Sequence, residues 1–367
     1  MTAAAAHFPR SYQEARERFL DAAHARRCRV VSHVHPSAQG PDGGELAIDV
    51  ATAGDRAAAA ALVVSCGTHG VEGYAGSGVE AAWLADDGFA RAIERGDVRI
   101  VLVHAVNPWG FAHDARTDED NVDVNRNFRD FARPQARNEG YAELHPLLVP
   151  AVWPPRWIDE AKLALAVLQH GRRALQDAIT RGQCEFADGL FYGGRAPCWS
   201  RRQLEAVFAA EGAPCRVLAW IDLHTGLGRC GMLVPICNDR DDPAALARSR
   251  RYFGADVQSM YAGDAASSEV VGANYAALDA AAAPLRTGVT LELGTRAPRV
   301  VLDALRARQW LANHPDAAPA RAGAIRGCVR DAFYVDADAW KDGAYAAVRG
   351  VIDRALDALR RDAETLQ

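Results

Sequence analysis

The sequence predicts an α/β protein, a three-layer α/β/α sandwich with helices on both faces of a mixed, largely parallel sheet. Three observations carry this prediction. Short, fully apolar runs such as Ala61-Leu62-Val63-Val64 and Ile100-Val101-Leu102-Val103 read as strands buried on both faces. Longer segments between them place apolar residues at helical spacing. The two kinds of segment alternate along most of the chain, as expected when crossover helices connect parallel strands.

The elements follow in order. Residues 11–27 form an amphipathic helix, with apolar positions at helical spacing among Glu and Arg. Extended segments at 28–35 and 45–51 flank the turn-rich PSAQGPDGG, which predicts a hairpin and an antiparallel edge to the sheet. Residues 61–66 form a buried strand, followed by a helix over 74–85. A second buried strand, 98–104, stops at Asn107-Pro108. Helices are expected at 157–180, 202–210, 243–260, 299–312 and 339–362, with strands at 217–223, 232–237 and 288–293. No internal repeat occurs. The Pro/Trp-rich stretch 147–157 and the loop 193–200 lack linker composition, so one domain over 1–367 is expected. An insertion around 138–200 would shape the walls of the substrate pocket.

With 49% hydrophobic and 24% charged residues, the 367-residue chain has ample material for a core. A net charge of −5 gives no reason to expect binding to nucleic acid or an anionic membrane. No segment approaches the roughly 18 consecutive apolar residues of a membrane span. The opening MTAAAAHFPRSYQEARERFL lacks an apolar secretory core, and a cytoplasmic location is expected. Eight scattered cysteines without a C-x-x-C pair read as small buried residues in a reducing compartment. Cys66, at the end of an apolar run, is the best candidate for a reactive thiol.

The richest stretch is SCGTHGVEGYAG, residues 65–76, directly after the first buried strand. It fails as a phosphate loop, since no Lys-Ser/Thr pair follows the glycines. It also fails as a dinucleotide motif and as a G-x-S-x-G nucleophile turn on spacing. His69 and Glu72, three apart at a turn entering a helix, can converge on one metal ion. A helix-start glutamate favoured by the dipole explains the same pair without a metal. In "WIDLHTGLG", Asp222 and His224 point to one face of a strand end, so His224 can be a third ligand oriented by Asp222. The alternative is a core-edge histidine beside a helix-capping aspartate.

Four segments, H69-G-V-E72, NPWGF (107–111), VDVNRNF (122–128) and LELGT (291–295), together resemble the M14 zinc carboxypeptidases. "GTHGVEG" and "DLHTG" look closer to the branch holding succinylglutamate desuccinylase and aspartoacylase. The ensemble, with YGGRAPCWSRR, is most similar to the M14-like group called DUF2817. The resemblance spans residues 62–295. It implies a zinc-carboxypeptidase-like fold and a single zinc ion held by His69, Glu72 and His224. It implies that Asn125 and Arg126 bind the substrate's terminal carboxylate, that Arg116 stabilises the oxyanion and that Asp123 supports His69. Glu292 matches the catalytic glutamate. Tyr275 is the candidate to close over substrate, with Tyr192 as its rival, and His113 lies close enough to contact substrate.

The expected function is zinc-dependent hydrolysis of a peptide or amide bond next to a free carboxylate, on a small peptide substrate. The alternative is an N-acyl amino acid deacylase. A third reading, a metal-free binder of small acidic ligands, leaves the His/Glu/His set and Glu292 without a purpose. The residue pattern says nothing of oligomeric state.

Overall fold

The computed structural model describes residues 4–237, 242–261 and 269–365. Its centre is one eight-stranded mixed sheet in the order β1-β2-β4-β3-β5-β8-β6-β7. The strands are β1 (Arg29–Gln39), β2 (Glu45–Ala53), β3 (Ala60–Cys66), β4 (Val98–His104), β5 (Val217–Thr225), β6 (Leu233–Cys237), β7 (Gln258–Ser259) and β8 (Leu285–Leu293). The middle strands β4, β3, β5 and β8 run parallel, and β1 and β2 form the expected antiparallel hairpin at one edge. On the far side β6 pairs antiparallel with β8.

The helices are α1 (Tyr12–Ala25), α2 (Gly73–Ala85), α3 (Asp87–Arg95), α4 (Pro108–Ala112), α5 (Glu139–Leu148), α6 (Trp157–His170), α7 (Arg172–Thr180), α8 (Trp199–Gly212), α9 (Pro243–Phe253), α10 (Pro298–Ala312), α11 (Pro319–Phe333) and α12 (Asp338–Thr365). Among the described residues none is long and apolar enough to cross a membrane. Alternation along the strands sorts the core into two layers. Leu62, Val64, Ile221 and Leu291 face Phe19 of α1, Trp83 of α2 and Ile352 of α12. Ala61, Val63 and Trp220 face Leu204 and Phe208 of α8 and Leu278 of a 3-10 helix, Asn274–Ala280.

Two expectations need correction, and four helices were not foreseen. The single helix over 157–180 is two helices, because Gly171 adopts φ 80 and breaks the run. The helix over 243–260 ends at Phe253, since Gly254 turns the chain at φ 135 toward β7. Helices α3, α4 and α5 were not among the expected elements, and neither was α11. The buried stripe of α11 is only Ile325, Val329, Ala332 and Phe333 in an Ala/Arg-rich sequence, too narrow a signal to read.

The region 138–200 holds α5, α6 and α7. Glu160 of α6 pairs with Arg299 and Arg306 of α10. Beyond α7 the chain returns to the sheet's loop end, where its backbone carbonyls accept hydrogen bonds that hold it. The Asp123 N–H donates to the Tyr192 carbonyl at 2.8 Å, and Asn127 Nδ2 donates to the Gly193 carbonyl at 2.9 Å.

Candidate metal centre

The centre forms at the carboxyl ends of β3, β5 and β8, on the face shared with α8. After β3, Gly67 takes a left-handed turn, φ 68, and leads to His69 and a 3-10 turn, Gly70–Glu72. A Cβ on Gly70 would lie 2.1 Å from the Gly110 carbonyl carbon, so only glycine lets α4 pack against this turn. In β5, Leu223 points into one core layer while Asp222 and His224 point to the other. The β5–β8 register places Glu292 directly beside His224.

His69, Glu72 and His224 converge, each at most 3% exposed. The two imidazole Nδ1 atoms are 3.1 Å apart. Glu72 Oε1 lies 2.9 Å from His69 Nδ1, and Oε2 lies 3.2 Å from His224 Nδ1. Tetrahedral zinc with ligand bonds of about 2.0–2.1 Å has ligand atoms roughly 3.3 Å apart. The donor atoms therefore fit around one such ion.

The surroundings fix these donors. His224 Nε2 lies 2.6 Å from Asp222 Oδ2, so its hydrogen goes to the carboxylate and Nδ1 faces the centre. Asp222 also accepts from Ser65 Oγ (2.6 Å), Asn274 Nδ2 (2.6 Å) and Thr68 Oγ1 (3.2 Å). Glu72 Oε2 accepts from the Thr225 N–H at 3.0 Å. His69 Nε2 has Asp123 Oδ1 at 3.4 Å and Arg116 Nη2 at 2.6 Å. Arg116 Nε donates to Asp123 Oδ2 at 2.9 Å, and Nη1 reaches Glu72 Oε1 at 3.4 Å.

The electrostatics favour a cation between these groups. Burial alone would raise Glu72, but His69 and His224 outweigh it and hold the carboxyl below its usual range. Burial would likewise lower His224, but Asp222 and Glu72 overcome it and hold the imidazole well above its ordinary value. Glu292 differs. Burial, with the Glu72 charge behind it, pushes its carboxyl up to about 7 against the opposing pull of His224 and Arg116. Its Oε2 is buried without a hydrogen-bond partner.

The other expected site residues fall into two groups. Asn125 and Arg126 lie beside the centre on a 3-10 turn, Val124–Arg126, but Arg126 is turned inward. Its Nε and Nη2 donate to the Thr180 carbonyl (2.9 and 2.6 Å), and Nη1 to the Asn125 carbonyl at 2.8 Å. At 3% exposure it offers no open face to a ligand. Burial lowers its pKa to about 10, which leaves it charged at neutral pH. Asn125 Oδ1 accepts from the Asn274 N–H at 2.8 Å. Among the described residues, Tyr192, His113 and Cys66 make no hydrogen bond or ring contact with His69, Glu72 or His224. Tyr275 stacks on Trp220 (ring centroids 6.1 Å apart), four residues down β5 from His224. Tyr192 is buried, and His113 stacks on Trp109. The Cys66 thiol lies 3.4 Å from Glu80 Oε2, and burial raises its pKa well above the ordinary value, so it stays protonated.

Ser65, Thr68 and Asn274, which hold Asp222, were missed. Thr68 adjoins His69 in "GTHG" and could have been suspected. Asn274 lies one residue from Tyr275, and nothing in the local sequence says which of the two faces the site. The cavity of about 520 Å³ beside Phe128, Arg129 and Arg201 touches none of the ligands.

A family model described as "Protein of unknown function (DUF2817)" matches residues 8–347. No curated protein matches the chain by sequence. Solved structures similar to it include carboxypeptidase A from Helicoverpa armigera, 14% identical, covering 88% of this chain and 73% of that one, TM-score 0.44. A metallo-carboxypeptidase from Burkholderia cenocepacia is 14% identical, covering 95% and 70%, TM-score 0.41. Bovine thrombin-activatable fibrinolysis inhibitor, in complex with tick carboxypeptidase inhibitor, is 10% identical, covering 93% and 97%, TM-score 0.43.

Proposed function

This chain belongs to the DUF2817 family, and we propose that it is a zinc-dependent hydrolase cutting a peptide or amide bond next to a carboxylate. The observation that carries the reading is the convergence of both Nδ1 atoms and both Glu72 oxygens, with adjacent pairs 2.9–3.2 Å apart. His69, Glu72 and His224 would hold the ion. When bound, zinc supplies Lewis acidity, which makes water nucleophilic near neutral pH and polarises a carbonyl.

The chain's own residues do the rest. Glu292, beside His224 and with a free Oε2, takes the proton from the attacking water and returns it to the departing amine. A carboxyl pushed up to about 7 suits both transfers at neutral pH. Asp222 locks the His224 tautomer, and Asp123 braces His69 and Arg116. Arg116 provides fixed positive charge where negative charge builds on the carbonyl oxygen. Arg126 reaches a substrate carboxylate only by giving up the Thr180 carbonyl, so Asn125 is the readier contact of the pair.

Two substitutions test this. Glu292→Gln is expected to lower turnover of dipeptides or N-acyl amino acids about 10²–10⁴-fold with zinc still bound. His224→Ala is expected to lose both zinc and turnover. Near-full activity in Glu292→Gln with one zinc per chain would remove Glu292 from the mechanism, and a wild-type protein that takes up no zinc would end the reading.

A further inference from the structure

Helix α6 is apolar on two opposite faces, and only one of them is covered. Its inner face packs Leu163, Ala166 and Val167 against the core, and Glu160 ties it to Arg299 and Arg306 of α10. The other face lies in solvent. Among the described residues eleven large apolar side chains are exposed, and five of them, Val152, Trp157, Ile158, Leu165 and Leu168, fall between positions 152 and 168. Trp157 and Leu168 are 79% and 82% exposed, the highest values of the eleven. A helix that is apolar all round is ordinarily covered all round. Single exposed apolar residues are normal, but a contiguous group of them marks an interaction surface.

We propose that this stripe is the contact of a two-fold homodimer, in which α6 pairs antiparallel with α6 of a second copy of the chain. Positions 158, 161, 165 and 168 are three and four apart, the spacing of a helix-pairing seam, and all four are apolar. Ala161 and Ala164, both exposed, occupy the middle of the stripe and let two backbones approach closely. The bulky Trp157 and Leu168 stand at its two ends. A two-fold axis near position 163 sets Ile158 against Leu168 of the second copy and Ala161 against Leu165 of the second copy. It also lays Trp157 over Leu168 of the second copy, so the two most exposed apolar side chains cover each other twice. The antiparallel sense places the positive end of each helix dipole beside the negative end of the other.

The area suits such a pair. With whole residues of about 150–250 Å² each, the exposed fractions of the stripe amount to roughly 600–700 Å² per copy. Two copies then remove about 1,200–1,400 Å² from water, the lower end of the range for specific interfaces. A contact of that size holds weakly, and a micromolar dissociation constant is expected. An anionic membrane fits the stripe less well. Lys162 is the only Lys or Arg in α6 and the chain carries a net charge of −5, whereas a helix lying on such a surface presents a row of cations. No metal-centre residue lies on α6, so the pairing does not depend on the hydrolase reading.

The test is sedimentation equilibrium of the whole protein from about 1 to about 100 μM, a range that brackets a micromolar constant. Wild type is expected to pass from monomer to dimer across it, with the amides of α6 exchanging more slowly in the dimer. Leu168→Glu puts a charge into the seam at two symmetry-related places. A tenfold loss at each weakens association about 100-fold. Because Leu168 is exposed in the single chain, the variant is expected to melt with wild type at concentrations where both are monomers. Trp157→Ser is expected to lose association in the same way, and Val34→Glu, at an exposed apolar position on β1, to dimerise like wild type. A wild type still monomeric at the highest concentration, a dimer that Leu168→Glu and Trp157→Ser leave intact, or one that Val34→Glu disrupts equally would overturn the proposal. So would a monomer that instead sediments with phosphatidylcholine/phosphatidylserine vesicles through Leu168, which would give the stripe to a lipid surface.

Discussion

Asp222→Asn separates the charge behind His224 from the packing around it. Asp222 Oδ2 receives His224 Nε2 and Asn274 Nδ2, both at 2.6 Å, while Oδ1 faces Ser65 Oγ. An asparagine can keep its oxygen toward His224 and Asn274 and turn its amide nitrogen toward the hydroxyls of Ser65 and Thr68, which can accept. The network survives and only the negative charge is lost. Replacing a charge-assisted acceptor with a neutral one costs about 1–2 kcal/mol. Losing the orienting carboxylate of a ligating histidine costs about 10–100-fold in metal affinity, or roughly 1.4–2.7 kcal/mol. The two estimates agree. The pH dependence has a definite sign. The His224 pKa is raised in the metal-free protein, so a proton competes with the metal, and Asp222 supports both occupants. The affinity loss is therefore greatest at alkaline pH and shrinks as pH falls through that raised value. Competition with a chromogenic chelator from pH 6 to 8.5 measures it. Zinc affinity within twofold of wild type at pH 8.5, with an unchanged melting temperature, would refute the orienting role.

Glu292→Gln has a second consequence, in metal-free protein. The carboxyl is raised from 4.5 to about 7 on folding, so the unfolded chain releases its proton first and stability falls as pH rises between those values. Chelator-treated Glu292→Gln is thus expected to exceed wild type by on the order of 3 kcal/mol at pH 8 and to match it near pH 4, as read by urea unfolding. An advantage at pH 4 as large as at pH 8 would disprove the linkage. Gly70→Ala tests the turn between two ligands. Its Cβ would sit 2.1 Å from the Gly110 carbonyl carbon and 2.2 Å from the Phe111 nitrogen, so backbone has to move. A cost of about 1–3 kcal/mol and a zinc affinity more than tenfold weaker are expected, though no ligand is altered. Calorimetry with metal analysis checks both, and wild-type values for each would show that the packing of α4 does not position the ligands.

The parts of this molecule that could be read in advance are those whose signal is local. β3 and β4 centre on the apolar runs Ala61–Val64 and Ile100–Val103 because both their faces are covered, and β4 has the expected bounds. His69 and Glu72 share one turn, and Asp222 and His224 share one strand face, so spacing alone links the members of each pair. Bringing the two pairs together depends on β3 lying beside β5, which the β3–β5 register shows and no short motif encodes. The same reason hid Asn274, which reaches Asp222 across 52 residues of chain. Asn274 and Tyr275 differ by one step of a 3-10 helix, which turns successive residues by about 120°, so the sequence did not say which of the two reaches Asp222. Arg126 could be named but not its orientation, because Thr180, which holds it, ends a helix 54 positions on.

Phe191 has a consequence for how this protein can diversify. Its backbone lies in the left-handed region, φ 53, and its ring is contacted by the guanidinium groups of both Arg116 and Arg126, 5.0 and 5.2 Å from the ring centroid. The segment that brings it there also accepts the Asp123 N–H through Tyr192. The segment that carries Phe191 is therefore also the clamp on Arg116, which lies against His69 and Glu72. Replacing the 183–194 segment would disturb the proposed metal centre at the same time. Neighbouring lineages would have to alter the two together, whereas change confined to the outer surface of α6 would leave the centre untouched.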